Sequence, residues 1–228
     1  YQSEIMILLF MKPMSMRILH ITACDSHKQQ VQKLAALENA YYKITWNKGM
    51  LQLKDKTTGR ILEDFLYVED GGDEGDTYDY SWPTRDRIYK LRFQNAKAEL
   101  QSGDIADILT LRGTWLLPQS LQERESDQCT QELSYELQLQ LDHKDLIRCE
   151  LHVNNTAAEH RMRVICRGLS SSDSSIADTP FGTIRRKHDP KHMDDWREAG
   201  YREEPSPIYP FLHHVSNGDG PILSSFSK

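Results

Sequence analysis

The strongest constraint on what this chain can fold into is a strict two-residue alternation in its middle third. Leu133, Tyr135, Leu137, Leu139 and Leu141 alternate with Ser134, Glu136, Gln138 and Gln140. Successive side chains of a strand point to opposite faces, so this pattern places one face in a core and the other in water. Asp142-His143-Lys144-Asp145 then reads as a turn. Ile147, Cys149, Leu151 and Val153 return, Asn154-Asn155 turns again, and Met162, Val164 and Cys166 form a third strand. Three alternating strands joined by short polar turns make an antiparallel meander. Earlier, Tyr42, Ile44 and Trp46 alternate, Lys48-Gly49 turns into Leu51 and Leu53, and Lys54 to Gly59 reads as a hairpin loop. Leu109, Leu111, Gly113 and Trp115 give a further strand after the turn at Ser102-Gly103-Asp104. Many short strands at close spacing predict an all-β sandwich. Helix has support only at Val31 to Asn39 and at Met193 to Ala199, the second ended by Gly200.

With 228 residues the chain is long enough to bury a sizeable core. A net charge of −6 argues against nucleic acid as a partner, since phosphate binding needs clustered Lys and Arg, and Arg185-Arg186-Lys187 is the only dense basic run. The longest apolar run, Ile5 to Met11, falls far short of the roughly 18 residues that span a bilayer. It has no small-residue cleavage site and reads as a buried strand. Cys24, Cys129, Cys149 and Cys166 show no metal-ligand spacing. They fit reduced thiols in a cytoplasm, with Cys149 and Cys166 on apolar strand faces. Asn154-Asn155-Thr156 matches a glycosylation acceptor, a three-residue pattern of low specificity. The chain begins at Tyr1 with residues that already look like mid-strand, as a segment of a longer polypeptide would.

One stretch departs from strand logic. From Glu69 to Tyr80, six carboxylates and two tyrosines share twelve positions with three glycines, and Ser81-Trp82-Pro83 follows. Glycine permits positive φ and close backbone approach, so Asp73, Asp76, Tyr78 and Tyr80 are expected to converge on one side of a loop. Carboxylates accept hydroxyl hydrogen bonds and aromatic rings cover the apolar face of a sugar, which suits a polyhydroxylated ligand. A solvated acidic loop and a calcium loop are the alternatives; the spacing misses the EF-hand template, with Gly72 and Glu74 at positions three and five. His188, Asp189, His192, Asp194 and His213-His214 offer metal-ligand types without an HExxH spacing, and adjacent histidines rarely share one ion. No nucleotide-binding glycine pattern and no nucleophile elbow occurs.

The acidic stretch Glu69 to Asp76 followed by Tyr78 resembles the signature loop of the C-terminal β-domain of family 38 α-mannosidases, closest to the bacterial branch that includes mannosylglycerate hydrolases. Glu38 to Lys43 and Gly49 to Arg60 resemble that domain's opening strands. Asp178-Thr179-Pro180-Phe181-Gly182 with Arg185-Arg186, then Ile208-Tyr209-Pro210-Phe211, resemble its later motifs. The likeness runs from about Met11 to His214. It implies an antiparallel β-super-sandwich of the galactose-mutarotase-like type over 31–228, with 1–30 completing strands of a preceding β-module. It also implies a retaining hydrolase of α-mannosides whose catalytic aspartates and zinc ligands lie in an N-terminal domain absent here. This segment therefore carries no catalytic residue, metal ligand or cofactor of its own, and zinc is expected in the missing domain.

In the family, a tyrosine of the glycine-rich loop and an arginine of a later strand reach the mannose. Here they would be Tyr78, with Tyr80 second, and Arg186, with Arg185 second. The residues flanking the tyrosine are acidic, where the eukaryotic branch has small apolar ones. The implied partners are the catalytic domain of the same chain and a mannoside, with neither nucleic acid nor membrane; an oligomer is compatible. The competing readings are a stand-alone carbohydrate-binding module and a purely structural interaction domain.

Overall fold

A computed structural model describes residues 7, 9–20, 36–76, 78–168, 172–188, 195–202, 208–218 and 222–224. The chain divides into two compact units, Tyr1–Cys166 and Arg167–Lys228. The expected boundary near residue 30 falls outside the described residues.

Among its described residues the first unit holds three antiparallel sheets. One is a meander of β1 (Ala36–Glu38), β2 (Tyr42–Asn47), β3 (Met50–Asp55) and β4 (Ile61–Leu62). A second joins β5 (Leu66–Gly72) to β6 (Tyr89–Leu91) on one side and to β11 (His160–Cys166) on the other. The third runs β7 (Lys97–Ser102), β8 (Ala106–Leu117), β9 (Gln131–Asp142) and β10 (Ile147–Val153), each strand beside its sequence neighbour. The alternation in 133–141 does what it predicts: Leu133, Leu137 and Leu139 are fully buried, opposite Trp115, Leu111 and Leu109 in register. Leu37, Ile44 and Leu51 of the first sheet and Val68 of the second close on the same cluster, so one core unites the three sheets. The all-β antiparallel class follows directly.

The second unit is a four-stranded antiparallel sheet of β12 (Ser174–Thr179), β13 (Gly182–Lys187), β14 (His214–Asn217) and β15 (Ile222–Ser224), ordered β13-β12-β14-β15.

Five expectations need correction. The strand expected third in the meander, β11, does not pair with β10 but crosses to β5. Ile7, Leu9, Phe10 and Met11 are exposed and outside any strand, because no described strand lies beside them to complete a ladder. The other residues of that run are not described. Ala36–Glu38, expected as the end of a helix, is a strand: Leu37 pairs with Ile44 and both are fully buried, so tertiary packing overrides helical propensity. The second helix is only a set of turns over 195–200. Cys149 and Cys166 are exposed, since β10 and β11 are edge strands whose apolar faces are only partly covered.

Among the described residues, the α-helix that forms is α1 (Leu121–Glu125). Its Ser120 cap accepts from the Glu123 N–H while Glu123 Oε2 accepts from the Gln119 N–H at 2.9 Å. This is a capping-box signal, Ser-Leu-Gln-Glu, readable in the sequence.

At the centre of the core, Tyr135 stacks on Trp115 with centroids 4.2 Å apart and meets Phe93 edge-on at 5.5 Å. Its cross-strand partner Gly113 makes room, since a Cβ there would lie 2.5 Å from the Tyr135 hydroxyl. That hydroxyl is buried with no hydrogen-bond partner among the described residues, and burial pushes the phenol up to about 12. Tyr135→Phe keeps the ring and removes the orphaned oxygen. It is expected to leave stability unchanged or raise it by about 1 kcal/mol. A loss of similar size in urea unfolding would show that the hydroxyl has a partner.

Candidate functional site

The acidic stretch is split by the fold. Leu66, Val68 and Asp70 of β5 point inward, so Glu69 and Asp70 belong to a strand and not to the loop. Glu69 faces out and receives Arg163 Nη2 at 3.0 Å. Asp70 is fully buried and is matched by two cations or donors. Arg124 Nη2 lies 2.5 Å from Asp70 Oδ2, and His160 Nδ1 lies 2.5 Å from Asp70 Oδ1. His160 Nε2 is in turn 2.9 Å from Asn155 Oδ1. A buried carboxylate is tolerable only with this kind of saturation.

Arg124 does more than balance charge. It also donates to the carbonyl of Arg87 at 2.7 Å and to that of Asp70 at 3.4 Å, with its guanidinium 5.2 Å from the Tyr89 ring centroid. Asp86 Oδ1 accepts the Gly72 N–H at 2.8 Å. Both ends of the loop are thereby tied to one buried side chain. The glycines serve close approach and not positive φ: a Cβ on Gly72 would sit 2.6 Å from Pro83 Cγ, and one on Gly75 would sit 1.8 Å from the Asp79 carbonyl oxygen.

Within the loop, the Asp73 N–H donates to the Glu159 carbonyl at 2.9 Å and the Glu74 N–H to that of Ser81 at 3.0 Å. Asp73 Oδ1 accepts from the N–H groups of Gly75 and Ser81, and Asp76 Oδ1 from those of Tyr78 and Asp79. The backbone donors of Tyr78 and Asp79 hold the Asp76 carboxyl below its usual range. One oxygen of each aspartate is thus committed to shaping the loop, which the sequence alone does not reveal. Tyr78 is 91% exposed. Tyr80 is half-buried: Trp82 meets it edge-on at 5.0 Å and the Arg161 guanidinium covers its ring at 3.8 Å. Burial raises its phenol above the ordinary tyrosine value. Trp82 and Arg161 were not among the expected site residues; an aromatic residue two places after Tyr80, between Ser81 and Pro83, was the available signal for Trp82.

Arg185 and Arg186 stand on β13 of the second unit. Arg185 Nη1 donates to Ser174 Oγ at 3.1 Å. Arg186 Nη1 donates to the Pro210 carbonyl at 3.3 Å, and its guanidinium lies 4.9 Å from the Tyr209 ring centroid. Asp178 accepts from the N–H groups of Leu212, His213 and His214 at 2.9–3.0 Å. Burial pushes the Asp178 carboxyl up, but the donors of His214, His213 and Leu212 outweigh it and hold the group well below the carboxylate range. The two later motifs of the sequence, 178–186 and 208–211, therefore meet in the second unit, the second packing through Tyr209 and Pro210 on Arg186 of β13. Among the described residues no cluster of His, Cys, Asp or Glu is arranged to hold a metal ion. Asp189, His192 and Asp194 lie outside the described residues. No helix among the described residues is long and apolar enough to cross a membrane.

No family model and no curated protein matches the chain. Solved structures do, among them the two that follow. An α-mannosidase from Enterococcus faecalis aligns over 84% of this chain with a TM-score of 0.62 and 20% identity. A glycosyl hydrolase family 38 protein from the same organism aligns over 74% with a TM-score of 0.58, also at 20% identity. In each case the match spans only 23% of the other chain. The chain is thus similar, in its all-β fold, to one stretch of two larger proteins, one of them described as glycosyl hydrolase family 38 and the other as an α-mannosidase.

Proposed function

We propose that this chain is the non-catalytic C-terminal β-domain of a retaining α-mannosidase of family 38, where it shapes the substrate cleft. The observation that carries the reading is the fold likeness to a stretch making up 23% of an α-mannosidase, over 84% of this chain. In this reading the acid pair that forms and breaks the glycosyl-enzyme bond, and the zinc that orients the sugar, belong to the N-terminal domain of the same cytoplasmic polypeptide.

Tyr78 then offers a phenol to a mannose hydroxyl or to the catalytic acid, and Arg186 offers a planar fork of donors. Two features support these roles. The Tyr78 side chain is open to solvent while its N–H donates to Asp76 Oδ1, and Arg186 is held by Pro210 and Tyr209. Tyr80 and Arg185 are second in line. Tyr80 is covered by Arg161, and Arg185 is turned to Ser174.

The test is hydrolysis of an aryl α-mannoside by the full-length gene product with zinc present. Tyr78→Phe is expected to lower kcat/KM about 3- to 10-fold and Arg186→Ala about 10- to 100-fold, the ranges for one neutral and one charged hydrogen bond. The 228-residue chain alone is expected to be inert. Hydrolysis unaffected by both substitutions removes these roles. Mannoside binding by the isolated chain, without hydrolysis by the whole protein, replaces the reading with a carbohydrate-binding module.

A further inference from the structure

We propose that Tyr209 and Asp178 are positioning residues that fix the pose of Arg186, and that this makes Arg186, not its neighbour Arg185, the arginine that meets the sugar. The inference rests on the α-mannosidase reading and adds two residues to it.

The need for a holder comes from the strand. β13 lies at the edge of its sheet, with β12 on one side and no strand among the described residues on the other. A long arginine side chain on such an edge has many rotamers to lose on meeting a ligand, and a misplacement of about 1 Å is enough to cost a reaction much of its rate. Successive strand residues point to opposite faces, so Arg185 and Arg186 do not serve one site together. Arg185 donates to Ser174 Oγ at 3.1 Å. Arg186 is half-buried and is held by a stretch of chain outside any strand. Its guanidinium lies 4.9 Å from the Tyr209 ring centroid, and its Nη1 donates to the Pro210 carbonyl at 3.3 Å. A ring against the guanidinium and one acceptor at its edge restrict the fork, which carries further N–H groups for a ligand.

The stretch that carries Tyr209 needs a hold of its own, and Asp178 supplies it. Asp178 Oδ1 accepts from the N–H groups of Leu212 at 3.0 Å, His213 at 2.9 Å and His214 at 3.0 Å. Asp178 Oδ2 lies 3.0 Å from His213 Nδ1. Bonds from three successive backbone donors to one carboxylate are charge-assisted and stronger than neutral ones. Between this clasp and Tyr209 stands Pro210, whose ring fixes φ, so a restraint at Leu212 carries back to the tyrosine. The same backbone donors keep the Asp178 carboxyl well below its usual range, and the clasp stays ionised where ordinary carboxylates begin to take up protons. Asp178 is thereby committed to the chain and Tyr209 to the guanidinium. Arg185 has neither an aromatic ring nor a clasped segment among its contacts with the described residues.

The experiment is a double-mutant cycle on the full-length gene product with zinc present, reading kcat and KM for the aryl α-mannoside. Tyr209→Leu, Tyr209→Phe and Asp178→Asn are each made in the wild-type and in the Arg186→Ala background, and Arg185→Ala is compared with Arg186→Ala. Tyr209→Leu is expected to lower kcat/KM about 3- to 10-fold and Asp178→Asn about tenfold, in whichever of kcat and KM Arg186→Ala moves. Tyr209→Phe keeps the ring and is expected to recover most of the loss. In the Arg186→Ala background, Tyr209→Leu and Asp178→Asn are each expected to cost less than about twofold, because no guanidinium remains to be placed. Arg185→Ala is expected to cost several-fold less than Arg186→Ala.

Circular dichroism checks that each variant is folded; if Asp178→Asn is not, the Tyr209 variants decide the matter. Equal costs of Tyr209→Leu in the two backgrounds, or no recovery in Tyr209→Phe, overturn the positioning role. A cost for Arg185→Ala as large as that for Arg186→Ala overturns the choice of arginine. If Arg186→Ala matches wild type while the enzyme still cleaves the mannoside, the inference falls and the α-mannosidase reading stands. Absence of hydrolysis by wild type removes both.

Discussion

Arg124→Ala is expected to cost about 3–5 kcal/mol of folding stability, the range for removing one partner of a buried ion pair. The guanidinium and the Asp70 carboxylate are both essentially sealed from water, at 1% and 0% side-chain exposure. Without it, Asp70 keeps only His160, and the carbonyls of Arg87 and Asp70 lose a donor together. The loss is read as a drop in the urea midpoint of this chain. Arg124→Lys is expected to fall between, because an ammonium on a single stem reaches at most part of the three acceptors that the planar fork reaches at once. A loss below about 1 kcal/mol would mean that Asp70 is satisfied by His160 alone.

Trp115→Ala is expected to cost a similar amount, about 3–5 kcal/mol, as for other large aromatic truncations in cores. Trp115 fills the space between β8 and Phe93, carries the stacked face of Tyr135, and donates its indole N–H to the Arg92 carbonyl at 2.7 Å. Arg92 is itself committed to the buried Asp64 through two nitrogens. Trp115→Phe separates the terms: it keeps most of the packing and leaves the Arg92 carbonyl unpaired. It is expected to cost about 1–3 kcal/mol. Urea unfolding and loss of the near-ultraviolet circular dichroism of the stacked pair check both variants.

The legibility of this fold tracks sequence distance. β8, β9 and β10 are plain in the sequence because alternation is a local signal, and β9 and β10 are joined by a short polar turn. β1 is hidden because three residues cannot display a period, and Leu37 is a strand residue only by virtue of Ile44. The helix at Leu121 was readable from Ser120 and Glu123, a short box outweighed by longer apolar runs elsewhere. At the site, the glycine-rich acidic stretch is visible at once, but its division is not. Asp70 becomes a core residue through Arg124, 54 positions away, and His160, 90 positions away. Arg161 enters the loop by the same long pairing of β11 with β5. No local pattern carries such partners. The family resemblance conveyed the architecture, while the committed oxygens of Asp73 and Asp76 came only from three-dimensional geometry.

The pairing of β5 with β11 also dictates an order of events during synthesis. Its rungs join residues as far apart as Leu66 and Cys166, 100 positions along the chain. Closing so long a loop carries an entropic penalty that the neighbouring hairpins do not face, and pairings of this range form slowly. The β7-β8 and β9-β10 hairpins have only short turns to close, and β8 meets β9 across the connection at 118–130, so this meander is free to assemble first. Until the ribosome releases His160 and the strand behind it, Asp70 has no second partner and Asp73 has no Glu159 to hold it. A nascent chain stalled before that point would display the acidic loop as an unshaped tether, able neither to orient Trp82 nor to present Tyr78.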